Sequence, residues 1–223
     1  MSKTDRGNLT FCNSEPVLIN RVLEWFFENW NIPYNDWKWY IRVNLPEQSQ
    51  KVVEQVTKEV TAFWIANSPI EKEASYPKSV TFTKNSKRRT LTNNGSLIIE
   101  RRETVFLQVM HSLVKTLFSR MPEQKPEHIA AFLRGLLAAD SCINFRLASG
   151  HRRVFLTATK ASDRQLIIRC CNKLGISTSE CAKISNVIFS GRQDLFRMHE
   201  LNLVSLHPAK YARFLEMLDS YQR

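Results

Sequence analysis

Apolar positions along this chain follow two rhythms, one near 3.6 residues and one of two. The helical rhythm is plainest after Pro126, where Ile129, Phe132, Leu133, Leu136 and Leu137 share a face. Small residues (Ala130, Ala131, Gly135, Ala138 and Ala139) lie among them and would let another helix approach backbone to backbone. The run stops at a lone carboxylate, Asp140. The chain then changes to period two, with Ile143 and Phe145 alternating with Asn144 and Arg146. The stretch therefore predicts a closely packed helix that delivers one acid to the start of a strand.

The same two rhythms divide the rest of the chain. A polar tail of residues 1–8 leads to a short strand, Leu9–Asn13, and then to a helix running to about Asn31, with Ser14 as its expected cap. Trp37–Asn44 is rich in strong β-formers, and Gln48–Asn67 is helical. Val80–Thr83 and Ser96–Ile99 are expected to pair as a hairpin through the Asn93-Asn94-Gly95 turn. A helix follows from Thr104 to Arg120, and a linker at Met121–Pro126. Beyond Asp140, Cys142–Ala148 and Arg153–Thr159 form a second expected hairpin around Ser149–Arg152. Ser162 is the expected cap of a helix to Leu174 that Gly175 ends. Short strands near Glu180–Ile184 and Asn186–Ser190 precede helices over Gln193–Leu203 and Pro208–Gln222.

One segment recurs. Ser14-Glu15-Pro16-Val17-Leu18-Ile19-Asn20-Arg21 matches Ser162-Asp163-Arg164-Gln165-Leu166-Ile167-Ile168-Arg169 at serine, acid, Leu-Ile and arginine. Each copy follows a strand, and each helix leads to an isoleucine (Ile32, Ile176) before a further strand. Two α/β halves are expected, each a sheet with helices on one side and an open face bearing Lys and Arg.

Composition and charge narrow the partners. With 43% hydrophobic and 10% aromatic residues, few Gly and few Pro, the 223-residue chain can build a sizeable core. Thirty-two Lys and Arg against 21 Asp and Glu leave a formal charge of +11, which favours a polyanion because each neutralised phosphate releases counterions. No apolar run nears the ~20 residues that span a bilayer, so no membrane partner is expected. Met1–Gly7 is polar and no apolar signal region follows, so the expected location is the cytoplasm or an organellar matrix rather than outside the cell. Five cysteines without paired spacing argue for free thiols rather than a disulfide framework or a zinc site.

Asp140 is the sharpest candidate for chemistry. A carboxylate at a helix C-terminus opposes the helix dipole, and a nearby cation would offset that. A hard divalent ion such as Mg²⁺ is one such cation, since it takes oxygen ligands and needs few carboxylates. Asn144 and Arg146 share one strand face, and Arg152, Arg153 and Lys160 flank the partner strand. Lys84, Lys87, Arg88 and Arg89 form the matching basic turn of the first half. A two-stranded ribbon fits the major groove of double-stranded DNA, where Arg and Asn read guanine and adenine edges. The five histidines show no metal-ligand spacing, and there is no Gly-rich phosphate loop. The tryptophans sit mainly within apolar patterns and are expected in the core.

Residues Leu133–Ser141, preceded by Ile129–Phe132, resemble the motif of the LAGLIDADG homing endonuclease family at Leu133, Gly135, Leu136, Ala139 and Asp140. Ala138 stands where the motif has an acid, and Ser141 where it has glycine. The succeeding order of strand, strand, helix ending in Leu174-Gly175-Ile176, two strands and helices is also similar to the family's αββαββα unit. The likeness covers about residues 126–223 well. The first half resembles the family's other unit from its second strand onward. It implies an α+β fold of two LAGLIDADG-type halves, residues 9–121 and 122–223, whose antiparallel sheets form a DNA-binding saddle. It implies a sequence-specific, Mg²⁺-dependent, intron- or intein-associated DNA endonuclease, a hydrolase of phosphodiester bonds with Asp140 as metal ligand. Lys160, Lys183 and Lys125 are its candidates for the basic residue near the scissile phosphate. The first half carries no motif helix and no first acid, so the 128–140 helix is expected to pair with a second copy or a partner chain. A DNA-binding regulator without cleavage and an RNA-binding intron maturase are the other functions this scaffold admits.

Overall fold

The computed structural model describes residues 8–45, 49–69, 79–83, 94–102 and 104–221. These form seven α-helices and two four-stranded sheets, an α+β protein. The chain divides into two compact units, Met1–His111 and Ser112–Arg223. No helix among the described residues is long and apolar enough to cross a membrane.

The first unit runs β1 (Asn8–Asn13), α1 (Pro16–Trp30), β2 (Lys38–Asn44), α2 (Gln50–Asn67), β3 (Ser79–Thr83) and β4 (Ser96–Arg102), and α3 (Thr104–Ser119) begins within it. Its sheet order is β1-β4-β2-β3. The expected pairing of Val80–Thr83 with Ser96–Ile99 does not form. Instead β4 lies antiparallel between β1 and β2, and β3 joins the far edge of β2 in parallel. Burial explains the choice. Leu97, Ile98 and Ile99 form a continuous buried run that suits a central strand. β3 alternates Val80 and Phe82, packed against the core, with exposed Thr81, a pattern suited to an edge. Gly95 opens β4 with φ +67°, and a Cβ there would lie 2.6 Å from the Arg42 carbonyl oxygen, so only glycine fits. Ile19, Leu23 and Phe26 of α1, Val60 and Trp64 of α2, and Trp37, Trp39 and Ile41 make the core.

The second unit runs α4 (Pro126–Asp140), β5 (Ser141–Arg146), β6 (His151–Thr157), α5 (Ala161–Lys173), β7 (Ser179–Cys181), β8 (Asn186–Phe189), α6 (Arg192–Glu200) and α7 (Pro208–Asp219). Its sheet, β5-β6-β8-β7, is antiparallel throughout. Ile129, Leu133 and Leu137 of α4 pack on Ile143, Val154 and Leu156 of the sheet, with Phe214 and Met217 of α7 closing the same core. Cys170 and Cys171 are core residues, and burial pushes their thiols up to about 11 and about 12. All five cysteines are free thiols.

The two units share a topology. In the first, a strand (β1), a helix (α1) and a second strand (β2) are completed by β4, which inserts antiparallel between the two strands. In the second, β6, α5 and β7 are completed in the same way by β8. The second unit adds α4 and β5 ahead of this core, and the first adds α2 and β3 within it. The repeat seen in sequence therefore has a structural counterpart, although its serines do not cap. The helices start at Pro16 and Ala161, and the cap positions are Glu15 and Lys160, neither with a side-chain cap bond. The helix ends match more closely. Gly175 at φ +73° sends the chain back so that Ile176 N–H donates to the Cys171 carbonyl, a Schellman ending, and Ile176 is buried. Asn31, at φ +49°, performs the same turn one residue wider, and Ile32 is buried behind it.

Candidate nucleic-acid interface

A strand's side chains alternate between faces, so the registers fix which residues the helices cover. On β5 and β6, Ile143 pairs with Val154 and Ser141 with Leu156, all on the helix side. The opposite face then carries Asn144 beside Arg153, Arg146 beside His151, and Cys142 beside Phe155. Arg146 and Arg153 are exposed, and neither makes an ion pair among the described residues. Asn144 and Arg146 of β5 and Arg153 of β6 therefore share one ribbon face.

Arg152 is not on that face. The strand begins at His151, earlier than its sequence pattern implied, and this puts Arg152 opposite Phe145 on the helix side. Its Nε donates to Ser220 Oγ at 2.8 Å, its Nη2 donates to the Ser220 carbonyl at 3.2 Å, and the guanidinium lies 4.8 Å from the Tyr221 ring centroid. It ties β6 to the end of α7. Lys84, Lys87, Arg88 and Arg89 lie outside the described residues.

Asp140, Lys160 and Lys183 come to the same end of the second sheet. Asp140 is the exposed last residue of α4, directly before β5, and the Ser141–Leu156 and Leu156–Val187 pairs set this end across the sheet. Lys160 caps α5 just after β6, and Lys183 sits in the turn from β7 to β8; both are exposed. Lys125 is at the opposite end of α4 from Asp140.

The first unit has its own open face, which the sequence reading did not resolve. The register of β2 with β4 turns Trp39 and Ile41 to the core and Lys38, Tyr40 and Arg42 outward. Arg102 and Glu100 of β4 share that face, and Asn8 Nδ2 donates to Glu100 Oε1 at 2.8 Å. The signal was available in the alternation from Lys38 to Asn44. Trp37, Trp39 and Trp64 are buried as expected, whereas Trp25 and Trp30 are exposed on α1.

The base of α4 holds a residue that sequence reasoning missed. Lys210, in the first turn of α7, places its Nζ where it donates to the carbonyls of Leu137 (3.2 Å), Ala138 (2.7 Å) and Ala139 (3.3 Å). Those of Ala138 and Ala139 are last-turn acceptors with no onward helical partner, whereas that of Leu137 also accepts from the Ser141 backbone N–H. Ser141 Oγ also donates to the Leu137 carbonyl. Burial lowers the Lys210 pKa, and the charges of Asp140 and Cys142 oppose that shift. The cation that offsets the α4 dipole is thus an ammonium of this chain. No sequence signal links positions some seventy residues apart.

The fit of a divalent ion to this site is poor. Among the described residues no three His, Cys, Asp or Glu side chains gather as ligands. The main-chain carbonyls beside Asp140 already accept from Lys210. One carboxylate remains, fewer oxygen donors than Mg²⁺ takes.

No protein-family model matches the sequence, and no curated protein matches it. Among solved structures, mesophilic variants of the homing endonuclease I-DmoI are similar over 72% of this chain and 79% of that one, at 13% identity and a TM-score of 0.36.

Proposed function

We propose that this protein binds double-stranded DNA through the open faces of its sheets and acts as a LAGLIDADG-type endonuclease, with Asp140 the acid on which hydrolysis depends. The observation that carries the reading is the juxtaposition in the second unit. Asn144, Arg146 and Arg153 share one ribbon face, and Asp140, Lys160 and Lys183 belong to segments at one end of the same sheet. Arginine and asparagine on a ribbon are the side chains that make bidentate contacts to purine edges. A carboxylate and two lysines at the margin are the groups phosphodiester hydrolysis employs. The described residues supply one such acid, so the hydrolytic reading requires a second from another copy, a partner chain or an upstream segment. The exposed small face of α4 supports such a pairing: a Cβ added at Gly135 meets nothing within 4 Å.

Lys210 favours a second reading, a DNA-binding protein that does not cut, because the chain's own ammonium already neutralises the α4 terminus. Plasmid libraries incubated with Mg²⁺, wild type beside Asp140→Asn, separate the two. Nuclease activity predicts metal-dependent breaks that the Asn variant loses. Retained binding with no breaks in either protein would leave only the second reading.

A further inference from the structure

We infer that the apolar row Cys142, Phe155 and Ile188, across the open face of the second sheet, is a specificity element that meets the 5-methyl group of a thymine in the major groove of double-stranded DNA. The inference rests on reading that face as the DNA-binding surface.

Three features of the structure carry it. Cys142 of β5 stands opposite Phe155 of β6, and Phe155 opposite Ile188 of β8, so the three lie in one row on the face away from the helices. Side chains directly opposite one another are about 5 Å apart, so the row is continuous over three strands. Cys142 is exposed. Phe155 and Ile188 are only partly buried, and among the described residues neither belongs to the helix-covered core or packs against it. Asn144 opposite Arg153 bounds the row on one side and Thr157 opposite Asn186 on the other, so the apolar surface is enclosed by polar rows.

Chemistry selects the ligand. A single exposed apolar side chain is ordinary, but a contiguous row of them rimmed by polar residues marks a contact surface. The thymine 5-methyl is the apolar group that a base pair presents in the major groove. Arg146 and Arg153, exposed on the same face, supply the charge that holds a polyanion there. Successive rows on one face are two residues apart, about 7 Å, which is about two base-pair steps along a duplex. The thymine met by Phe155 therefore lies about two base pairs from the base met by Asn144 and Arg153.

The test selects duplexes from a random-sequence DNA pool with the full-length protein in EDTA, then replaces each thymine of a selected duplex by uracil, one position at a time. Uracil removes only the methyl, and fluorescence anisotropy reads the affinity. Wild type is expected to bind about fourfold more weakly when one particular thymine is replaced, the loss that one buried methyl brings. Phe155→Ala combined with Ile188→Ala should bind the thymine and uracil forms alike, whereas Arg153→Ala should keep the preference for thymine. Urea unfolding confirms that each variant is folded. Equal affinity of wild type for the thymine form and every uracil form would overturn the inference without any variant, as would a thymine preference that survives in the folded double variant. Selection of no duplexes at all would overturn the DNA-binding reading and the inference with it, an outcome distinct from duplexes that bind but ignore the methyl.

Discussion

Adjacent residues on one strand can have unrelated roles. Arg152 and Arg153 are neighbours in sequence, yet one donates to Ser220 behind the sheet and the other stands on the open face. Arg152→Ala removes two hydrogen bonds from a charged donor and is expected to cost roughly 1.5–3 kcal/mol of stability, read from urea unfolding. Arg153→Ala should leave unfolding almost unchanged and weaken DNA binding by roughly 1–3 kcal/mol in filter binding or anisotropy. The opposite assignment of effects would mean the face is misidentified. Period two made the alternation of Asn144 and Arg146 legible from sequence. Arg152 had no face assigned because the expected strand start fell two residues late and left it in the turn. Lys210 was illegible for a different reason. Its partners are main-chain carbonyls of a helix brought close by the fold, and main-chain acceptors leave no mark in a sequence.

At the scale of elements, helices were easier to find than strand partners. The apolar spacing of α4 and the αL endings at Gly175 and Asn31 follow from local residues. The insertion of β4 between β1 and β2, and the parallel docking of β3, are decided by which strand is apolar on both faces, which is a tertiary matter. The start of α7 gives a test of local electrostatics. Burial first, and the Lys210 charge second, lower the pKa of His207, which serves as N-cap acceptor in its neutral form. Its unfolded value stays near the ordinary 6.5, so its contribution is fully present above that pH and is lost as pH falls below it. Wild type is therefore expected to lose stability from about pH 7 to about pH 5, and His207→Asn, which keeps an acceptor at the cap, to lose less. Urea midpoints across that range measure the difference. An identical pH profile for both proteins would rule out His207 as the source.

At the scale of the whole molecule, charge and open surface are distributed over both units. The excess of +11 includes Lys38, Arg42 and Arg102 on the first sheet and Arg146 and Arg153 on the second. If both faces meet phosphate, the joint change Lys38→Gln with Arg42→Gln should flatten the slope of log affinity against log salt by about 2. Arg153→Ala should change that slope far less if it reads a base edge. A slope unaltered by the first pair would confine DNA to the second unit.

The strand that completes each sheet last in sequence lies inside it. A nascent chain that has emerged only as far as β2 has β1 and β2 without the ladder that belongs between them, and β4 arrives nearly sixty residues after β2 begins. The first sheet cannot grow outward from a hairpin, since its middle must be filled after its sides. The second unit is assembled from the β5–β6 and β7–β8 hairpins, whereas the first is obliged to wait for its own C-terminal strand. Loop closure precedes most of the hydrogen bonding, which is the condition for slow folding and for apolar edges exposed during synthesis.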